Sequence, residues 1–217
     1  MKFIKYFNKY RYLSVTAAFC FSMSCAHAGS FEDFFIAVRN DNTSVLNDLL
    51  DRGFDPNTRN EKGQLGLVLA MQEHSLKAAR ALLARPATDM NALNQSGESA
   101  LMLAAIKGDL EGVQLLLGKG AKINQPGWSA IHYAATGPEP KIVELLLQRG
   151  AEVDARSPND STPLMMAAQY GSEDSVKLLL ARGADLKRRN QLNLSAADFA
   201  RRAGRESLAK QLDKLGG

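Results

Sequence analysis

Side chains able to do acid–base, nucleophilic or metal chemistry are few in this chain and poorly grouped. His74 and His132 each stand with no thiol or second histidine nearby, which makes a poor ligand set for zinc. The carboxylates Glu139, Glu144, Glu152 and Asp154 share one stretch. No pair of them recurs with the apolar shielding that shifts a pKa for acid–base work, so a solvated face is the simpler reading. Serines are plentiful, but no G-x-S-x-G elbow presents one as a nucleophile. There is no G-x-x-x-x-G-K-[S/T] phosphate loop and no G-x-G-x-x-G after a strand. Gly118-Lys119-Gly120 reads as the end of a helix, with its glycines serving the cap. These residue types point away from catalysis. No catalytic residue, cofactor or metal is expected.

What is regular in the chain is its spacing. The stretch Asp160 to Leu186 reads D-S-T-P-L-M-M-A-A-Q-Y-G-S-E-D-S-V-K-L-L-L-A-R-G-A-D-L. Thr162-Pro163 opens one short helix and Gly171 ends it; Val176 to Leu180 carry a second, closed by Gly183. Proline suits a first helical position, and glycine just past a last one is expected to supply the unusual φ needed there. The alanine near the end of the first helix recurs at Ala37, Ala70, Ala104, Ala134, Ala167 and Ala200, in steps of 33, 34, 30, 33 and 33. Six evenly spaced copies predict one continuous solenoid, because each unit carries an apolar face that only its neighbours can cover.

The unit resembles the ankyrin repeat, whose signature is close to T-P-L-H-x-A with G-A-D after the second helix. The resemblance implies an all-α solenoid of about six helix-turn-helix repeats with short hairpin loops, at about 30–60, 61–94, 95–125, 126–157, 158–190 and 191–217. The first copy replaces threonine-proline with Phe31, Phe34 and Phe35, as a terminal cap should. In the second, Leu65-Gly66 stands for threonine-proline, Pro86 replaces the closing glycine, and one extra residue follows. The hairpin between the third and fourth copies is three residues shorter than the next, and Gly137-Pro138-Glu139-Pro140 stiffens the turn inside the fourth. In the sixth, Leu208, Leu212 and Leu215 are the expected apolar stripe of a last helix whose other face is polar.

By resemblance, His132 holds loops together by hydrogen bonds, and His74 stands at an exposed helix end in place of a glycine. Ankyrin-like repeats bind proteins through hairpin tips and the first helices. The matching positions are Lys62, Gln64, Gln72, Glu73, Ser96, Glu98, Ile106, Lys107, Trp128, Thr136, Ser161, Gln169, Tyr170, Leu194 and Arg202. Trp128 and Tyr170 stand out among them, because tryptophan and tyrosine dominate binding hot spots. Trp128 has a second reading, as packing over the shortened hairpin. The function expected is a monomeric protein-binding scaffold. An inhibitor or immunity protein for a secreted enzyme or toxin is the alternative, and an enzyme with an unrecognised site the third reading.

Residues 1–28 hold Lys2, Lys5, Lys9 and Arg11 and no acid, then an apolar stretch from Leu13 to Ala26 and the small-x-small triplet Ala26-His27-Ala28. This is the pattern of a cleaved signal peptide, which predicts a periplasmic or secreted protein with a mature chain from Gly29. A retained anchor is the alternative, and lipidation at Cys25 lacks the leucine-like residue three positions before it. Cleavage would remove Cys20 and Cys25, leaving no thiols and no stable membrane insertion. The full chain has a net charge of +4, and without those four bases 23 cationic residues face 23 acids. The start is acidic, and the end is basic through Lys187-Arg188-Arg189 and Arg201-Arg202. No aromatic residues interleave those bases, and an exported protein seldom meets nucleic acid, so none is expected as a partner.

Overall fold

The computed structural model describes residues 29–216. The signal-peptide expectation for residues 1–28, with both cysteines, lies outside them. Among the described residues the chain forms six helix pairs. The first helices are α1 (29–39), α3 (Gly66–Gln72), α5 (Ala100–Lys107), α7 (Ala130–Thr136), α9 (Pro163–Tyr170) and α11 (Ala196–Arg202). The second helices are α2 (Thr43–Asp51), α4 (Leu76–Leu83), α6 (Leu110–Gly118), α8 (Pro140–Gln148), α10 (Glu173–Ala181) and α12 (Glu206–Gly216). First helices stack in order, α3 on α5, α5 on α7, α7 on α9 and α9 on α11; among second helices α2 packs on α4, α6 on α8 and α8 on α10. This is the α-solenoid implied by the repeat spacing.

Helices this short are marginal alone, so packing and caps make them. The six recurring alanines are all 2% exposed or less, because a methyl group is all that fits where one first helix crosses the next. Each first helix from the third repeat on starts at a hydroxyl residue: Ser99, Ser129, Thr162 and Ser195. Three positions on, Met102 Sδ, His132 Nδ1, Met165 Sδ and Asp198 Oδ2 lie against the backbone N–H of that cap residue. Burial and these reciprocal bonds together fix where each first helix begins. In the second repeat the cap is Leu65, with no side-chain bond, and the first helical residue is glycine for a steric reason: a Cβ at Gly66 would sit 2.8 Å from the Phe34 ring, which fills the space that Pro163 takes in the fifth repeat.

Glycines close the helices in two ways, only one of which matches expectation. Gly53, Gly120, Gly150 and Gly183 follow second helices with φ between 87° and 91°, the left-handed region that only glycine enters freely. Gly137 and Gly171 end first helices with φ −74° and −83°, so backbone freedom is not why they are glycine. A Cβ at Gly137 would lie 2.8 Å from the Ala105 carbonyl oxygen, and one at Gly171 would collide with that of Ala135. Close approach to the preceding repeat is what excludes a side chain. His74 does take the left-handed conformation, φ 57°, exposed at the helix end.

The second repeat cannot close like the others, since the proline ring at Pro86 holds φ near about −65°. Elsewhere the backbone N–H of Phe54, Ala121, Ala151 or Ala184 satisfies a carbonyl in the last turn of the second helix. Here the Thr88 hydroxyl donates to the Leu82 carbonyl oxygen at 2.6 Å instead. The extra residue in the 34-residue step carries the chain through this wider turn.

At the C-terminal end the expected stripe shifts: Leu208, Ala209 and Leu212 are buried, whereas Leu215 is 65% exposed. Helical spacing lets Ala209 continue the buried face beside Leu208 and Leu212 where α12 packs on α11, and Leu215 lies in the final turn of the chain's last helix. The basic residues there are mostly engaged. Arg182 pairs with Glu144, Arg188 with Asp185, Arg189 with Asp198, and Arg201 with Asp198 and Asp213. Arg205 Nη1 donates to the carbonyl oxygens of Ala167, Ala168 and Gly171 at 2.8–3.0 Å, closing the end of α9.

Candidate functional site

His132 is 1% exposed at the third position of α7. Its Nδ1 accepts from the Ser129 hydroxyl at 3.0 Å and the Ser129 N–H at 3.3 Å, which leaves Nε2 to carry the proton. Nε2 donates to the carbonyl oxygens of Ala155 (3.1 Å) and Ser161 (3.2 Å) in the next hairpin. Burial pushes its pKa below the ordinary histidine value, against the smaller upward pull of those backbone bonds. The ring is a neutral tie between two repeats, as the resemblance implied.

Trp128 precedes the Ser129 cap and stands edge-on to His132, ring centres 5.3 Å apart. It is half-buried, and its carbonyl accepts from Gln125 Nε2 at 2.8 Å. Beside it opens a groove of about 260 Å³ across the third to fifth repeats. Glu98, Ile106, Trp128 and Thr136 line it, all from the positions expected to face a partner, and His132 forms part of its wall. Tyr133 and Met166 complete the lining and were not among the expected residues. The legible signal for Tyr133 was helical spacing: it lies three residues before Thr136, as Met166 lies three before Gln169, one turn back on the same face.

The polar edge of the groove is ordered by two bonds. The Tyr133 hydroxyl donates to Glu98 Oε1 at 3.1 Å, and Asn94 Nδ2 donates to Glu98 Oε2 at 2.8 Å. Burial and then the Glu98 charge push the Tyr133 pKa up to about 12. The hydroxyl therefore stays a donor throughout the neutral range.

The remaining expected positions divide. Lys62, Glu73, Ser96, Lys107 and Arg202 are exposed, and Tyr170 is 60% exposed at the end of α9 without reaching the groove that Trp128 lines. Gln64 Nε2 donates to Gln72 Oε1 at 3.2 Å, joining the hairpin to α3; Lys62 and Gln64 edge a second depression of about 420 Å³ with Phe31, Phe35 and Ile36 of α1. Gln169 is half-buried, and Leu194 packs on the core. Ser161 corrects the expectation outright. It is 1% exposed, its N–H donates to Ser157 Oγ at 3.0 Å, and its hydroxyl accepts from Asn190 Nδ2 at 3.3 Å. A side chain so short is enclosed by the hairpins on either side and cannot meet a partner.

Sequence reasoning also passed over a structural column. Asn57, Asn91, Asn124 and Asp154 each accept, through Oδ1, the backbone N–H of Asp89, Lys122, Glu152 or Asp185 in the following repeat, at 2.8–3.1 Å. Their own steps of 34, 33 and 30 are again one repeat length each, within the range of the alanine steps, which is the signal that would have found them.

Stacked helix pairs, tied by these side chains and carrying an open groove on their hairpin side, define a helical-repeat solenoid. The chain belongs to the ankyrin-repeat family: the family model described as "Ankyrin repeats (3 copies)" matches residues 34–126 and 123–190. It is similar to the human transient receptor potential cation channel subfamily A member 1, 33% identical over 86 residues, which is 40% of this chain and 8% of that protein. The chain thus spans less than a tenth of that relative. It also resembles in fold a chain from the solved complex of the Bd0816 predatory endopeptidase from Bdellovibrio bacteriovorus with immunity protein Bd3460. The TM-score is 0.72 and the identity 24%, over 84% of this chain and 97% of the other. Among the described residues no helix is long and apolar enough to cross a membrane, and no three metal-ligating side chains converge.

Proposed function

We propose that this protein is an exported, non-catalytic scaffold that takes a protein partner on the hairpin side of its third to fifth repeats. The groove bounded by Ile106, Trp128, Tyr133 and Met166 is the observation that carries this reading. Open apolar surface bearing aromatic side chains and edged by a fixed carboxylate is what the centre of a protein interface offers. A second reading, an inhibitor or immunity protein, is favoured by one observation: the structural neighbour was solved in a complex of an endopeptidase with an immunity protein. That likeness is one of fold.

Affinity capture from the periplasm tests the scaffold. Wild type should retain a partner that an Ile106→Asp, Met166→Asp double variant loses at unchanged helical content. Equal retention by both would place the binding surface elsewhere. An inhibitor would in addition abolish a hydrolytic activity of the captured partner. Export is read from the same sample by intact mass, which should correspond to a chain starting at Gly29; a mass that still includes residues 1–28 would overturn it.

A further inference from the structure

We propose that the groove between the third and fifth repeats receives an arginine side chain of the partner, with Glu98 as its counter-ion; this rests on the same face being the one that binds. Among the groove's lining residues Glu98 carries the only formal charge, since His132 is held neutral, and Glu98 makes no ion pair among the described residues. A half-buried carboxylate beside aromatic and aliphatic side chains is poorly hydrated, and a partner that left it unpaired would bury it at a loss.

The arrangement of bonds selects among cations. Glu98 Oε1 already accepts from Tyr133, and Oε2 from Asn94. A carboxylate offers about four lone-pair positions, so one remains on each oxygen. Two parallel N–H groups of a guanidinium meet that demand together, whereas an ammonium is a single point of charge. Tyr133 and Asn94 hold the carboxylate in place before the partner arrives, which removes an ordering penalty from binding. Trp128 and Tyr133 supply aromatic surface for a planar cation, and Ile106 and Met166 supply the apolar wall that its methylene stem covers. A leucine-like side chain would use the wall and strand the carboxylate.

The chain has one tryptophan, Trp128, so its fluorescence reports on the groove directly. Titrating the purified protein with N-acetyl-arginine amide should give a saturable change in emission. N-acetyl-citrulline amide has the same shape without the charge and should bind at least about tenfold more weakly, as expected for losing a charge-assisted fork. Glu98→Gln keeps the Asn94 contact and should reduce the arginine compound to the level of citrulline. Equal responses to the two compounds, no saturable response to arginine, or an undiminished response in Glu98→Gln would each overturn the proposal. The citrulline comparison needs no variant, so it holds even if Glu98→Gln fails to fold. Such a failure leaves the scaffold reading intact if Ile106→Asp, Met166→Asp still loses the captured partner. Retention by that double variant would instead place the binding surface elsewhere and remove the premise that this groove is the one that binds.

Discussion

At the scale of single residues, the side chain with the most distinctive chemistry is structural. His132 has a sequence neighbourhood that makes a poor ligand set, and its position in the repeat motif pointed to a loop-linking role; the three-sided bonding of its ring bears out that linking role. Because burial lowers its pKa in the folded state, the unfolded chain binds the proton more readily. Stability from this residue is therefore complete above the unfolded value of 6.5 and lost as pH falls below it. Between there and the folded pKa the slope should approach about 1.4 kcal/mol per pH unit. Urea unfolding at pH 7.5, 6.5, 5.5 and 5.0 should show this fall in wild type and a shallower one in His132→Gln. Identical slopes in the two proteins would mean that the ring is not held neutral. Asp198 adds to acid loss only at lower pH: Ser195 holds its carboxyl below the ordinary value, so its contribution disappears as pH falls through the carboxylate range. Ser161 teaches the converse lesson. Its sequence position marked it as surface, and only the bonds from Ser157 and Asn190 reveal that it is enclosed.

At the scale of elements, two kinds of glycine and one substitute for glycine close the helices. Gly183→Ala meets no atom but must hold φ near 87°, an expected loss of about 1–2 kcal/mol. Gly171→Ala has an ordinary φ and drives its methyl into the Ala135 carbonyl, so the repeats must part; a loss of at least about 3 kcal/mol, the upper end for overpacking, is expected. Denaturation midpoints would reverse this account if Gly171→Ala proved no worse than Gly183→Ala. Thr88→Val tests the proline-bearing turn. It keeps the shape and removes one of two donors to the Leu82 carbonyl, leaving the Arg85 N–H at 3.0 Å, which should destabilise by about 0.5–1.5 kcal/mol. An unchanged midpoint would show that the Arg85 N–H alone satisfies that carbonyl. The sequence displayed Pro86 and the extra residue plainly, but the remedy through Thr88 depended on where the wider turn carried its hydroxyl.

At the scale of the whole molecule, each repeat touches mainly its neighbours, so the architecture is nearly one-dimensional. That is why six alanines, a few glycines and the alternation of short apolar helices were enough to read the fold. The acidic start and basic end were legible as composition, but not their consequence. Most of the basic residues near the end are used within the molecule, in ion pairs and in the Arg205 contacts that close α9. Lys187, Arg202, Lys210 and Lys214 make no ion pair among the described residues, a small remainder of the basic end.

The sequence by itself determined the repeat unit and its register, because helix-forming and burial patterns act over a few residues and repeat. Only the tertiary structure decided which polar positions are swallowed, as Ser161 is, and which converge, as Glu98, Tyr133 and Met166 do from three different repeats. Those meetings depend on the distance and rotation between stacked units. No local pattern encodes either quantity; the close approach at Gly137 and Gly171 and the shortened hairpin before Trp128 help set them here.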